Sequence, residues 1–253
     1  MISVSNLEYI IHLNNEGTAM LASSNERLAR QAMNLFRQAL AAIDELDRKS
    51  NFNLFGAAMP AAMGPSVDDV CCFCTVPVPA LTDSTVDSTF FYCRQGIYLK
   101  PAALAHAMSL DGVSQLLRFF LAVVLMNTSL ACYKVGRYFC LQQRPEYQLK
   151  ANDLFHRSLH LYVEISNLYD ATEQAADLAY FAMVAKNNLA WIFLHLGHRS
   201  HAKQAQSQLL QVIQDQGKTL TTPEAQECAK EFFLNTTIMS MTGYCSKLPA
   251  GAA

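Results

Sequence analysis

The spacing of apolar residues predicts pairs of helices along most of the chain. Over 5–21 and again over 25–47, apolar residues recur at intervals of three and four, which places them on one face of a helix. The range 23–25, Ser-Ser-Asn, lies between the two segments and supplies a turn and a helix cap. The same pattern returns after Pro101, so we predict a mainly α-helical chain.

These segments predict one helical domain over residues 1–253. Its parts, in chain order, are a first helix hairpin (1–48), an irregular insertion (50–100), a second hairpin (102–169), a third hairpin (171–215) and a C-terminal capping helix (222–242). Gly197 marks the turn inside the third hairpin, and Pro223 is typical of the first position of a helix.

The insertion departs from helical spacing. It holds four prolines, and the run from 70 to 78 favours a β-strand. Residues 90–93 and 97–99 are rich in strand-forming side chains and are separated by 94–96, Arg-Gln-Gly. We therefore predict a short β-hairpin with the glycine in its turn, and a mobile loop over 50–69.

A weak internal repeat runs through the hairpins. A small residue is followed after four positions by an aromatic residue and after seven by another small residue, which places all three on one helical stripe. The first two copies are Ala32, Phe36, Ala39 and Leu40, after a helix ending near Gly17, and Ala151, Phe155, Ser158 and Leu159, after a helix ending near Gly136. We predict that these residues face neighbouring helices, because their small members allow close approach.

A third copy carries a resemblance to a known repeat family. It consists of Leu189, Ala190, Phe193, Gly197, Ala202 and Leu209. This spacing resembles the tetratricopeptide repeat, and the alternation of such helices with irregular segments is similar to that of uncharacterised tetratricopeptide-like proteins of algal type. The family's usual helix A tryptophan is absent, and Gln206 stands where helix B usually has an aromatic residue. The resemblance implies an all-α stack of antiparallel hairpins with a concave groove.

The resemblance also implies which residues line that groove. In tetratricopeptide proteins such as kinesin light chains, asparagines of helix A hold the main chain of a bound peptide, since each amide supplies a donor and an acceptor. The corresponding candidates here are Asn14, Asn15, Asn127, Asn187 and Asn188, with Trp191 as an anchoring aromatic residue. Two alternatives stay open: the amides bond the helix backbone or the adjacent turn, and the tryptophan is core packing.

Charge and hydropathy exclude some partners. The chain has 19 Lys and Arg against 21 Asp and Glu, a net charge of −2, and its basic residues are scattered, so no electrostatic surface for nucleic acid is predicted. The longest apolar run, Phe119 to Met126, is short of the ~20 residues that span a bilayer, so we expect no membrane span. With no signal peptide predicted, we expect a cytoplasmic or nuclear protein with reduced cysteines.

The chemistry of catalysis and metal binding is sparse in the sequence. Cys71, Cys74 and Cys93 could supply thiolates to a zinc ion, but small buried apolar side chains in a strand account for the same residues. There is no H-E-x-x-H, no G-x-S-x-G and no glycine-rich phosphate loop. We therefore predict no catalytic residues, no metal and no cofactor.

The sequence favours a non-catalytic module that binds a protein or peptide segment in a helical groove. Two other classes stay open. One is a structural subunit whose apolar surface is used in self-association, and the other is a small-ligand sensor or enzyme with the insertion as a lid.

Overall fold

The computed structural model describes residues 3–52, 54, 73–78, 94–101, 103–104, 110–142, 144–171, 176–216, 226, 229–234 and 236–237. Helix accounts for 85% of the residues that can be interpreted, which confirms a mainly α-helical chain. The longer helices of this described part are α1 (Val4–Leu21), α2 (Glu26–Ser50), α3 (Leu110–Leu141), α4 (Pro145–Ala171), α5 (Ala176–His195) and α6 (Arg199–Gln216).

The helices pack as three consecutive pairs. Helices α1 and α2, α3 and α4, and α5 and α6 are each joined by a short turn and lie side by side. Between pairs, α2 packs on α3 and α4 packs on α5, while α1, α3 and α5 also touch in that order. These three helices therefore form one layer of the stack, with α3 in its centre.

Local sequence explains where the first helices begin and end. The Ser3 side chain accepts a hydrogen bond from the N–H of Asn6 and caps α1, and the Asn25 side chain caps α2 in the same way through Arg27. Asn51 adopts a left-handed conformation, with φ of 53°, and ends α2. The turn between α5 and α6 uses Gly197 at φ 79°, a conformation that glycine adopts without strain.

The first two copies of the repeat are packed as the sequence predicts. The six residues that carry the pattern are all buried: Ala32, Phe36, Ala39, Ala151, Phe155 and Ser158. A β-carbon added to Gly17 would lie 2.6 Å from Cε1 of Phe36, and one added to Gly136 would lie 2.9 Å from Cε1 of Phe155. Each phenylalanine follows its glycine by 19 positions, so the same close contact between paired helices occurs twice.

The insertion contains a β-hairpin, but its strands differ from the predicted ones. Strand β1 (Phe73–Pro77) pairs antiparallel with β2 (Gln95–Leu99), with Phe73 opposite Leu99 and Val76 opposite Gly96. The run predicted as a strand over 70–78 thus includes β1. The predicted turn at 94–96 is wrong, because Gln95 and Gly96 belong to β2, and the predicted first strand at 90–93 lies outside the described residues.

Other parts of the insertion and the C-terminus are described only in part. Helix α2 continues to Ser50, and the buried Leu54 donates its N–H to the carboxylate of Asp47 at 3.2 Å. The remainder of the loop predicted over 50–69 lies outside the described residues. Within the predicted capping helix, residues 229–234 are helical, and Ala229 and Phe232 are buried.

Helix α3 is long, strongly apolar and almost entirely buried. Over Val113–Leu141 it is long and apolar enough to cross a membrane by length and composition, with a hydropathy of 1.7 in its most apolar window. In the stack, 94% of that window is buried. Core helices of soluble proteins share these properties, so this helix by itself does not identify a membrane span.

Replacing Gly17 with alanine should destabilise the fold by about 1–3 kcal/mol, because the added methyl group overlaps the ring of Phe36. At an exposed helical position the same change would raise the free energy of unfolding by up to ~1 kcal/mol. A loss of stability would therefore point to the contact with Phe36 and not to helix propensity. Chemical denaturation measures the difference, with Glu8→Ala at an exposed position of the same helix as control. A Gly17→Ala chain as stable as the parent would contradict the close contact.

Candidate functional site

Strand β2 lies against α1 and α3, on the layer formed by α1, α3 and α5. We call the surface of α1 and α3 that contacts β2 the amide groove, and define it by Asn14, Asn15, Thr18 and Asn127. Three of these are candidates that the sequence predicts for binding a main chain. The segment that they hold belongs to the same chain.

Asn15 and Asn127 each form a two-point clamp on the main chain of β2. Asn15 accepts the N–H of Leu99 through Oδ1 at 2.8 Å and donates from Nδ2 to the carbonyl of Leu99 at 2.8 Å. Asn127 accepts the N–H of Ile97 at 2.9 Å and donates to the Ile97 carbonyl at 2.8 Å. The two clamps thus engage alternate residues of an extended strand, both on the edge that faces away from β1.

The other two groove residues tie the clamps together. Asn14 donates to the Ile97 carbonyl at 2.9 Å, and its own Oδ1 accepts from Nδ2 of Asn127 at 2.8 Å. The Thr18 hydroxyl donates to the main-chain carbonyl of Asn14 at 2.8 Å and lies 3.0 Å from Nδ2 of Asn127. Asn14, Thr18 and Asn127 are completely buried, so these bonds form away from water, where an unpaired amide would be costly.

Apolar contacts and one glycine bring the strand to the groove. The side chains of Ile97 and Leu99 are each 1% exposed. A β-carbon on Gly96 would lie 3.0 Å from Cγ2 of Thr18 and 3.2 Å from Cγ2 of Val78. Gly96 is therefore needed for the close approach of the strand to α1 and not for a turn, which is the physical reason why the predicted hairpin turn is wrong.

Strand β1 anchors the other side of the hairpin. The ring of Phe73 lies 5.8 Å from that of Tyr180 in a stacked arrangement, and 6.0 and 5.7 Å from those of Phe119 and Phe181. These three rings belong to α3 and α5. The hairpin thus lies across the layer, with β2 at α1 and α3 and the start of β1 near α3 and α5.

The remaining candidates lie outside the amide groove and join helices to one another. Asn188 is completely buried and donates from Nδ2 to the hydroxyl of Tyr162 in α4 at 2.9 Å, while Asn187 donates to Oδ1 of Asn188 at 3.1 Å. The half-buried Trp191 donates from Nε1 to the hydroxyl of Tyr133 in α3 at 2.7 Å. These bonds connect α5 with α3 and α4.

A buried lysine beside the groove is not among the residues predicted from the sequence. Lys134 donates to the carbonyls of Leu21 and Ser23 at 2.8 and 2.7 Å, and so fastens α3 to the C-terminal end of α1. Burial, aided by the nearby Arg94, lowers the pKa of Lys134 to about 8. A single lysine within an apolar helical run is the signal that could have identified it, since a buried ammonium group needs several oxygen partners.

The remaining candidate chemistry in the described part of the chain concerns the cysteines and metal binding. Burial raises the pKa of the Cys132 thiol to about 12, which makes it a poor nucleophile. Among the residues that the structure describes, no group of three or more His, Cys, Asp or Glu side chains is placed to hold a metal ion. Cys74 is exposed, and the other two cysteines of the zinc alternative, at 71 and 93, lie outside the described residues.

The arrangement can recognise an extended main chain. In an antiparallel sheet, a residue exchanges both its N–H and its C=O with one partner residue, and the side-chain amides of Asn15 and Asn127 reproduce that exchange. Main-chain hydrogen bonds of this kind can form with a strand of any sequence. The contacts of the apolar side chains beside them do depend on the sequence of the strand. In this structure the strand held in that way is β2, through the main chain of Ile97 and Leu99.

Asn127→Ala should lower the free energy of unfolding by about 1–3 kcal/mol, because it leaves the buried N–H of Ile97 without its acceptor. Chemical denaturation measures the loss, and amide hydrogen exchange at Ile97 should accelerate. The exposed Asn34→Ala on α2 is the matched control and should change neither. Unchanged exchange at Ile97 in the Asn127 variant would contradict the clamp.

Asn188→Ala and Tyr162→Phe should each destabilise the fold, and their effects should not add. The two side chains share one buried hydrogen bond, so the double variant should be about 0.5–1.5 kcal/mol more stable than the sum of the single losses predicts. The test is a double-mutant cycle, in which chemical denaturation gives the free energy of unfolding of the parent, both single variants and the double variant. Additive losses would show that the two groups do not interact.

No protein-family model, curated protein or solved structure matches this chain. The geometry of the amide groove is therefore the basis for assigning a function.

Proposed function

We propose that the chain is a non-catalytic protein-interaction module that binds an extended protein or peptide segment in its amide groove. One observation carries this proposal: Asn15 and Asn127 bond both the N–H and the C=O of alternate residues of a strand. Strand β2 is then an internal segment that occupies the groove. The proposed setting is the cytoplasm or nucleus.

The proposed architecture is a tetratricopeptide-like stack. Three features support it: helices in consecutive pairs, contact of α1 with α3 and of α3 with α5, and the repeated contact of Gly17 with Phe36 and of Gly136 with Phe155. In such a stack the first helices of the pairs line the concave face. The hairpin lies on those helices, where a ligand of such a stack would lie.

The chemistry of the groove favours binding over catalysis. Its polar side chains are amides and one hydroxyl, none of which changes its charge near neutral pH. Such groups hold a main chain but do not move protons between side chain and ligand in that range.

The second candidate is a structural subunit of an oligomeric assembly, whose groove takes no ligand, and the burial of β2 in the groove favours that last feature. In that case β2 fills the groove permanently, and the amides serve only the fold. The two candidates differ in one measurable respect, since a permanently filled groove binds no peptide.

Selection from a library of random peptides tests the proposal. With the parent chain as bait, we expect enriched peptides that protect amides of α1 and α3 from hydrogen exchange. On a bait whose β2 has been loosened, adding Asn15→Ala and Asn127→Ala should weaken their binding by about 2–6 kcal/mol, the value of the four main-chain bonds that the two amides form. A bait with the exposed Asn34→Ala and Asn152→Ala should bind them as the parent does.

Two results would refute the proposal. One is that no peptide is enriched on the parent or on a chain whose β2 has been loosened. The other is that the two double variants bind the enriched peptides equally, which would place the peptides away from the groove.

A further inference from the structure

We propose that β2 is an internal ligand whose sequence specifies the segment that the groove accepts from a partner: an extended strand with a glycine, an apolar residue, any residue, and then a second apolar residue. This inference rests on the proposed function and names its ligand class. In the chain itself the pattern is Gly96, Ile97, Tyr98 and Leu99.

The requirement at the first position comes from space. The α-carbon of Gly96 lies so close to α1 that an added β-carbon would meet Thr18 at 3.0 Å, within the range where the neighbour must move. Glycine is therefore preferred there, and a larger residue would force the strand away from the groove.

The requirements at the second and fourth positions come from burial combined with main-chain bonds. Ile97 and Leu99 are each 1% exposed, and each has both main-chain groups bonded by groove amides. In a strand, every second residue points its side chain to the same face and its main-chain groups to the same edge. The two buried apolar residues must therefore lie two positions apart. Tyr98, between them, is half-buried, and neither clamp bonds its main chain, so the third position is open.

The contacts that hold β2 can be transferred to another strand. Four main-chain groups of β2 bond the groove, and any extended main chain carries the same four groups. A partner strand in the place of β2 would replace these bonds one for one, and its other edge would pair with β1 as the other edge of β2 does. Because β2 is tethered, it acts at a high effective concentration, so a partner segment competes poorly until β2 is loosened.

A labelled synthetic peptide with the sequence of residues 94–100, Arg-Gln-Gly-Ile-Tyr-Leu-Lys, is the probe. The Gly96→Val chain loosens β2 by a steric clash with Thr18 and substitutes no residue of the groove itself. We expect this chain to bind the probe at least about ten-fold more tightly than the parent does, because the tethered competitor is weakened. Ile97→Asn, which places an amide in an apolar site, is a second way to loosen β2 and should act in the same direction.

Methylated peptides test whether the main chain is read as the structure shows. N-methylation at the position of Ile97 removes the donor to Asn127 and should reduce binding by roughly ten-fold or more, the effect of a lost hydrogen bond that leaves its buried partner unpaired. N-methylation at the position of Gln95 removes an N–H on the same edge as those of Ile97 and Leu99 that no groove amide accepts, so it should change binding less than about three-fold. Equal losses for the two peptides would overturn the inference.

The decisive negative result is a folded Gly96→Val or Ile97→Asn chain that binds the probe no better than the parent. Circular dichroism and a cooperative melt establish that the chain is folded, and faster exchange at residue 97 establishes that β2 is loosened. If library peptides still bind the amide groove in that case, only this inference fails. If they do not, the proposed function fails with it.

Discussion

The hydrogen bonding of the buried Asn127 amide determines how α1, α3 and β2 meet. Asn127 belongs to α3, and its side chain is completely buried. The amide bonds the main chain of Ile97 in β2 and the side chain of Asn14 in α1. A buried amide without partners costs several kcal/mol, so the strand and both helices must be in place together. One residue therefore links three elements that are far apart in sequence.

Helix α3 has other buried polar residues that, like Asn127, each bond a neighbouring element. Most of its side chains are apolar and contact neighbours without strong directional preference, but several of its buried polar residues each reach a particular element. Asn127 bonds β2, Ser129 donates to the carbonyl of Ser158 in α4 at 2.8 Å, and Lys134 bonds the end of α1. Because each bond has a fixed geometry, these residues set the register of α3 against its neighbours, which apolar packing alone specifies less sharply.

The sequence predicts this fold wherever the determining contacts are local. The spacing of apolar residues predicts the helices, and the repeat predicts that Phe36 faces a neighbouring helix, because both follow from helical periodicity. That the residue it meets is Gly17 is known only from the structure. The hairpin was predicted with the wrong turn because Gly96 has two possible uses. A glycine permits a turn or a close approach, and only the position of Thr18 in another element decides between them. The candidate site shows the same limit. Asn14, Asn15 and Asn127 are predicted as main-chain binders, but the groups of β2 that they bond lie 83, 84 and 30 positions away, so no local signal connects them.

The saturation of the groove amides limits how a partner can enter. If β2 left and nothing replaced it, the main-chain groups of Ile97 and Leu99 would gain water, but Asn14 and Asn127 would remain in a largely apolar surface with poorer partners. An empty groove is therefore disfavoured relative to a filled one. Exchange of one strand for another avoids that state, because the amides lose one main chain as they gain the next. Under the proposed function, the same side chains that stabilise the fold with β2 in place would also bind a partner strand.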